Sequence, residues 1–173
     1  MKFTSQIWRN TGIGYEVTAE GLTDLNVWAT YYGATFAPAF ACRSSRGTQA
    51  APVALAANDP ISIFAGRGFD GNAFTNSRIL IYMRTAEAWT PVATGTHMDF
   101  YTCPVGTIVA QRQMRLTDAG NLGIGTGANP VTSKLQVVGL PVFANNAAAL
   151  GGGLTAGAFY RTGADPDLIC VVH

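Results

Sequence analysis

The carboxylates beyond residue 42, Asp59, Asp70, Glu87, Asp99, Asp118, Asp165 and Asp167, are the side chains of this sequence best suited to acid–base work. Glycoside cleavage would need two of them about 5 to 10 Å apart across a groove. No local spacing sets up such a pair. Asp70 stands directly before Gly71 and reads as a turn residue. No catalytic residue is assigned, and the chain is not expected to be an enzyme.

His97 and His173 are the two imidazoles of the chain, and neither belongs to a His-x-His or Cys/His ligand cluster. His97 is expected to hydrogen-bond in a loop. Three copies of either histidine could still converge on a threefold axis, so the question of a metal stays open. Without a local motif, no Ser-His-Asp or Cys-His nucleophile can be argued. Cys42, Cys103 and Cys170 are odd in number and widely spaced, which favours free thiols over a disulfide framework. Gly120, Gly123, Gly125 and Gly127 do not follow the G-x-G-x-x-G spacing, so no cofactor is expected.

Aromatic rings offer a different chemistry. Trp89, beside Thr90 and Pro91, and the adjacent Phe100 and Tyr101 could stack on sugar rings while neighbouring hydroxyls orient them. Packing in a core is the competing use of each ring.

The elements that must carry these residues read as short strands. Turn residues arrive at brief intervals, with period-two alternation between them, so the fold class is all-β. In QRQMRLT, Gln111, Gln113, Arg115 and Thr117 fall on one face, while Arg112, Met114 and Leu116 fall on the other. RILIYMR is apolar on both faces, with Ile79, Ile81 and Met83 opposite Leu80 and Tyr82, and is placed deepest. Further strands are expected over 61–65, 98–102, 107–110 and 134–138. Their connections are too short for parallel crossovers through a helix. A short helix over 146–150, capped by Asn145 and stopped by Gly151 to Gly153, precedes a closing strand over 168–172.

Three segments follow: 1–42, an amino-terminal β module or attachment segment with Trp28, Tyr31, Tyr32, Phe36 and Phe40; 43–138, the main β domain; and 139–173, a small carboxy-terminal cap.

Composition points to assembly. Only 12% of the 173 residues are charged, while 48% are apolar. An average soluble domain is about 25% charged. Such a surface suits burial in an oligomer or exposure as a neutral β-face. The net charge of +1, with basic residues scattered, gives no footprint for nucleic acid or anionic lipid. No apolar run reaches membrane-span length, and the start MKFTSQIWRN has no signal-peptide h-region, so neither membrane insertion nor export by that route is expected. Short strands rich in glycine bury little area against the entropy of ordering them, and several copies together would remedy this.

Residues 114 to 139, MRLTDAGNLGIGTGANPVTSKLQVVG, resemble the joint of bacteriophage tail-fibre and tailspike proteins, of the form MRI-x-x-x-GNVGIGTTxPxxKLxV. Residues 43 to 74 are similar to the companion pattern, in which an R-x-RGT run leads to a G-x-DG turn. Residues 139 to 173 resemble a short segment that closes phage tail and head fibres. The resemblance implies an elongated homotrimer of intertwined strands, as a triple-stranded β-helix or β-prism, closed by the cap. Ile79, Ile81, Met83, Met114, Leu116, Leu122, Ile124, Leu135 and Val137 are the expected trimer core. Leu122 and Ile124 alternate with glycines that would let backbones approach near the axis. Family members often continue into a self-cleaving chaperone domain, so trimerisation here would be completed by the cap or by the fibre body itself.

The function so implied is that of a virion structural protein, assembled in the host cytoplasm. The first expectation is a tail fibre contacting other virion proteins and a bacterial surface glycan or protein receptor. A head fibre or capsid decoration protein is the alternative, and a polysaccharide depolymerase a more remote one.

Overall fold

A computed structural model of the chain describes residues 41–173. From Cys42 onward these form one compact unit, Cys42–His173, which includes both the 43–138 and 139–173 segments. The expected amino-terminal module, with its aromatic group at Trp28, Tyr31, Tyr32, Phe36 and Phe40, lies outside the described residues.

The described chain is nearly all β, as the alternation predicts. Its strands are β1 (Arg46–Gly47), β2 (Pro52–Val53), β3 (Pro60–Gly66), β4 (Ile79–Thr85), β5 (Thr96–Thr102), β6 (Gln111–Leu116), β7 (Leu122–Ile124) and β8 (Leu135–Val137). A short helix, α1 (Asn146–Gly151), and a last hairpin, β9 (Phe159–Arg161) with β10 (Ile169–Val171), complete it. Strands β3 to β8 form one six-stranded sheet in sequence order. Hairpin connections explain that order from β3 to β7, since antiparallel neighbours can follow one another directly along the chain. Between β3 and β4 the turn is built by Asp70, whose Oδ1 accepts the N–H groups of Asn72 and Ala73 at 2.9 Å.

One expectation about these elements is corrected. The segment 107–110 is not a strand: after a turn at Pro104, Ile108 and Val109 remain exposed loop residues. Strands β7 and β8 pair in parallel, Leu122 opposite Leu135 and Ile124 opposite Val137. The crossover uses no helix. Glycines make it possible: a Cβ on Gly123 would come 2.5 Å from the Val131 side chain, and one on Gly125, whose φ is +68°, would come 2.5 Å from the Val138 carbonyl oxygen. The close approach inferred at the GNLGIGTG joint is therefore made by the chain to itself.

The carboxy-terminal residues fold around a core of their own, Ala149, Tyr160 and Val172, flanked by Phe143 and Leu154. Helix α1 starts where expected, because the Asn145 side chain accepts the Ala148 N–H at 2.9 Å, and it ends at a glycine cap, Gly152. This core leaves Phe159, Leu168, Ile169 and Val171 exposed. Among the described residues, only Leu55 and Leu80 are buried apolar side chains outside that small core. A six-stranded sheet is thus left with very little private interior.

Candidate functional site

The two faces of the sheet differ in chemistry, and register decides which side chain goes where. On one face Ile81 stands between Phe64 and Phe100, Met83 faces Met98, Met114 lies between Phe100 and Ile124, and Leu116 between Met98 and Leu122. Leu135 and Val137 extend the same row, and Ile79 joins it two residues before Ile81. All nine expected trimer-core residues thus share one face of one sheet. None is buried within the single chain: Ile79 is 58% exposed and Leu135 62%, while Ile81, Met83, Met114 and Leu122 are half-buried.

The opposite face is polar. It carries Tyr82 and Arg84 from β4, His97, Asp99 and Tyr101 from β5, and Arg112 and Arg115 from β6. Asp99 is fully enclosed and receives a two-pronged interaction from Arg115, with Nε and Nη2 donating to Oδ1 and Oδ2 at 2.6 Å each. The same Nη2 lies 3.1 Å from His97 Nε2, which itself stands 3.5 Å from Asp99 Oδ2. A guanidinium can only donate, so in that hydrogen bond Nε2 is the acceptor. Burial pushes His97 below its ordinary value of 6.5, Arg115 adds to the shift, and Asp99 opposes it. Arg115 is raised in turn by the hydrogen bond that it donates to Asp99.

Two sequence expectations are overturned here. His97 is a buried strand residue and not a loop residue. Arg112 is not on the face of Met114 and Leu116: the β5–β6 register shifts between Phe100 and Tyr101, so Met114 opposes Phe100 while Arg112 opposes Tyr101. Gln113 is the extra residue of a β-bulge, which turns Arg112 to the Asp99 side, 3.7 Å from Oδ1.

The three aromatic candidates are not brought together. Phe100 belongs to the apolar face and Tyr101 to the polar one, as neighbours in a strand must. Trp89 lines a separate groove of about 340 Å³ with Val53, Leu55 and Pro91, and its indole N–H donates to the Gly95 carbonyl at 3.2 Å. Tyr101 alone reaches the second hollow, about 400 Å³, which it shares with Tyr82, Arg84, Arg67, Asn76 and Ser77. The sequence reading passed over Arg84, although its spacing of two from Tyr82 puts both on one face.

Asp59, Asp70, Glu87, Asp99 and Asp167 are spent on structure. Asp59 pairs with Arg46 at 2.5 Å, which brings its pKa down to about 2, and Asp167 pairs with Arg161 at 2.5 Å. Glu87 accepts the Gly95 N–H at 2.8 Å. Among the described residues, no group of three His, Cys, Asp or Glu side chains could hold a metal ion, and no helix is long and apolar enough to cross a membrane.

Similarity in three dimensions places this arrangement. The carboxy-terminal domain of the bacteriophage T5 L-shaped tail fibre, solved with its intramolecular chaperone domain, matches 83% of this chain at 17% identity with a TM-score of 0.55. The chain shares a tail-fibre fold. A second structure of the T5 tail-fibre carboxy-terminal domain matches 66% of the chain at 22% identity, with a TM-score of 0.44. The chain spans less than half the length of either, 44% and 46%. No protein-family model and no curated protein matches it. The glycine-rich segment around Gly123 and Gly125 forms the β7 strand and the start of its parallel crossover to β8.

Proposed function

We propose that this chain is a structural segment of a phage fibre, most simply a tail fibre, that assembles as a homotrimer and takes part in recognising the bacterial surface. The observation that carries the reading is the apolar sheet face. Twelve side chains from six strands, from Phe64 to Val137, form it without a charged group among them. Monomers rarely expose contiguous apolar patches of this kind, and such a face is matched by another of its own sort. The tail-fibre fold supplies the setting, and three copies is the number that the joint sequence implies. Packed on that face, the copies would turn their polar faces outward, toward a receptor.

Sedimentation of the purified chain tests the assembly, with a stable trimer expected at micromolar concentration. A monodisperse monomer would refute it. Recognition is tested by adsorption to host and non-host cells: host-restricted binding supports the tail-fibre role. Binding confined to capsids would transfer the chain to the head-fibre or decoration alternative.

A further inference from the structure

We propose that the hollow on the polar sheet face, between Tyr82, Tyr101, Arg84 and Arg67, is a binding site for a carboxylate-bearing saccharide, the sugar-acid unit of an acidic surface glycan. The inference deepens the receptor reading above and rests on it for recognition of the bacterial surface, not for the assembly of the chain.

Cationic charge in excess of its partners is the first observation. Asp99 is the carboxylate that β4, β5 and β6 place on this face, and Arg115 occupies both its oxygens. Among the described residues, Arg67 and Arg84 make no ion pair: Arg67 donates to the Ser77 hydroxyl at 3.2 Å and Arg84 to the Asn58 carbonyl at 2.9 Å. The Arg84 Nε is buried and has no acceptor. A buried donor left without a partner is costly, so Arg84 keeps hydrogen-bonding capacity that no group of the described chain uses.

The second observation is the shape and lining of the hollow. Its volume, about 400 Å³, is that of a small-molecule site and accommodates one or two sugar rings. Arg84 lies 4.2 Å over the Tyr82 ring, and Tyr101 meets Tyr82 edge-on with centroids 5.6 Å apart. The stacked guanidinium is thereby fixed in orientation, as recognition of a planar carboxylate requires. The Tyr101 ring supplies an apolar surface for sugar C–H groups, and Asn76 and Ser77 supply hydrogen bonds for sugar hydroxyls. Guanidinium forks, aromatic surface and neutral polar groups within one hollow fit a sugar acid better than a bare anion, which would leave the tyrosines unused, or a neutral sugar, which would leave the arginines unpaired.

The experiment uses the full chain and a panel of oligogalacturonates and sialic-acid oligomers, each paired with its methyl ester, and pyrophosphate as an anion without a sugar. Calorimetry and saturation-transfer NMR are expected to show binding of an acid oligomer, weakened at least about tenfold by esterification. Arg84→Gln and Tyr101→Ala should each lower affinity, whereas Trp89→Ala, in the separate groove, should not. Arg84 is half-buried, so exposed Arg67→Gln provides a second variant that leaves the sheet untouched. Equal binding of acid and ester, or no binding of any acid oligomer at millimolar concentration, would overturn the proposal. So would pyrophosphate binding as tightly as the sugar acids, which would make the hollow a simple anion site. Sedimentation of the same samples separates the two readings: a monomer that binds sugar acids through Arg84 removes the assembly and keeps the site, and a trimer that binds none does the reverse.

Discussion

Asp99 is the residue on which the polar face turns. It is fully enclosed, and removing one member of a buried ion pair leaves the other charge uncompensated. Arg115 keeps about a quarter of its side chain exposed, so the lower end of the usual range applies. Asp99→Asn is expected to destabilise the fold by about 3 kcal/mol, measured by denaturant unfolding. His97 adds a pH dependence. It faces Arg84 on β4, Asp99 on its own strand, and Arg115 and Arg112 on β6, and its folded value lies below 6.5. The unfolded chain then binds the proton first. Stability should be constant above about pH 7, fall as the pH drops below 6.5, and level off once the folded imidazole also protonates. His97→Gln should flatten that part of the profile in unfolding experiments run from pH 7.5 to 5.

At the scale of elements, the joint between β7 and β8 depends on the missing side chain of Gly123. Even the methyl group of Gly123→Ala would meet Val131 at 2.5 Å, in a position that is buried. Overpacking of this kind costs about 1 to 3 kcal/mol, and the loss should appear as faster amide exchange in β7 and β8 before it appears elsewhere. Helix α1 offers a milder test. Asn145→Ala removes the acceptor of the Ala148 N–H and should cost about 1 kcal/mol, detected as local exchange in the carboxy-terminal core with the six-stranded sheet unaffected.

On the scale of the whole molecule, the apolar face makes the strongest demand. Ile81 sits at its centre, between Phe64 and Phe100. Ile81→Asp is expected to abolish association while leaving the strand content measured by circular dichroism in place, because the side chain is only half-buried in one chain. A variant that remains trimeric would show that the copies meet elsewhere. The carboxy-terminal hairpin makes a second, smaller demand, since Phe159, Leu168, Ile169 and Val171 stay exposed around an otherwise closed core. A chain ending at Gly139 should form trimers that dissociate at a lower temperature than those of the full chain, as read by sedimentation after heating.

The sequence by itself determined the β class, most strands to within a residue or two, the capped helix at Asn146 and the segregation of Ile79, Ile81, Met83, Met114 and Leu116 to one side. These follow from period-two alternation and from local capping chemistry, which involve only neighbours along the chain. Long-range register decided the rest. An uninterrupted alternation through QRQMRLT put Arg112 with Met114, and the bulge at Gln113 reversed it, since a bulge arises from how β6 meets β5 and leaves no mark on either strand alone. The burial of His97 and the completed Asp99 network depend on the same meeting. So does the hollow at Tyr82 and Tyr101, whose walls come from strands and a loop far apart in sequence. The parallel pairing of β7 with β8 was likewise decided by three-dimensional contact: Gly123 and Gly125 permitted a close approach, and only the fold specified that the approaching backbone belongs to the same chain.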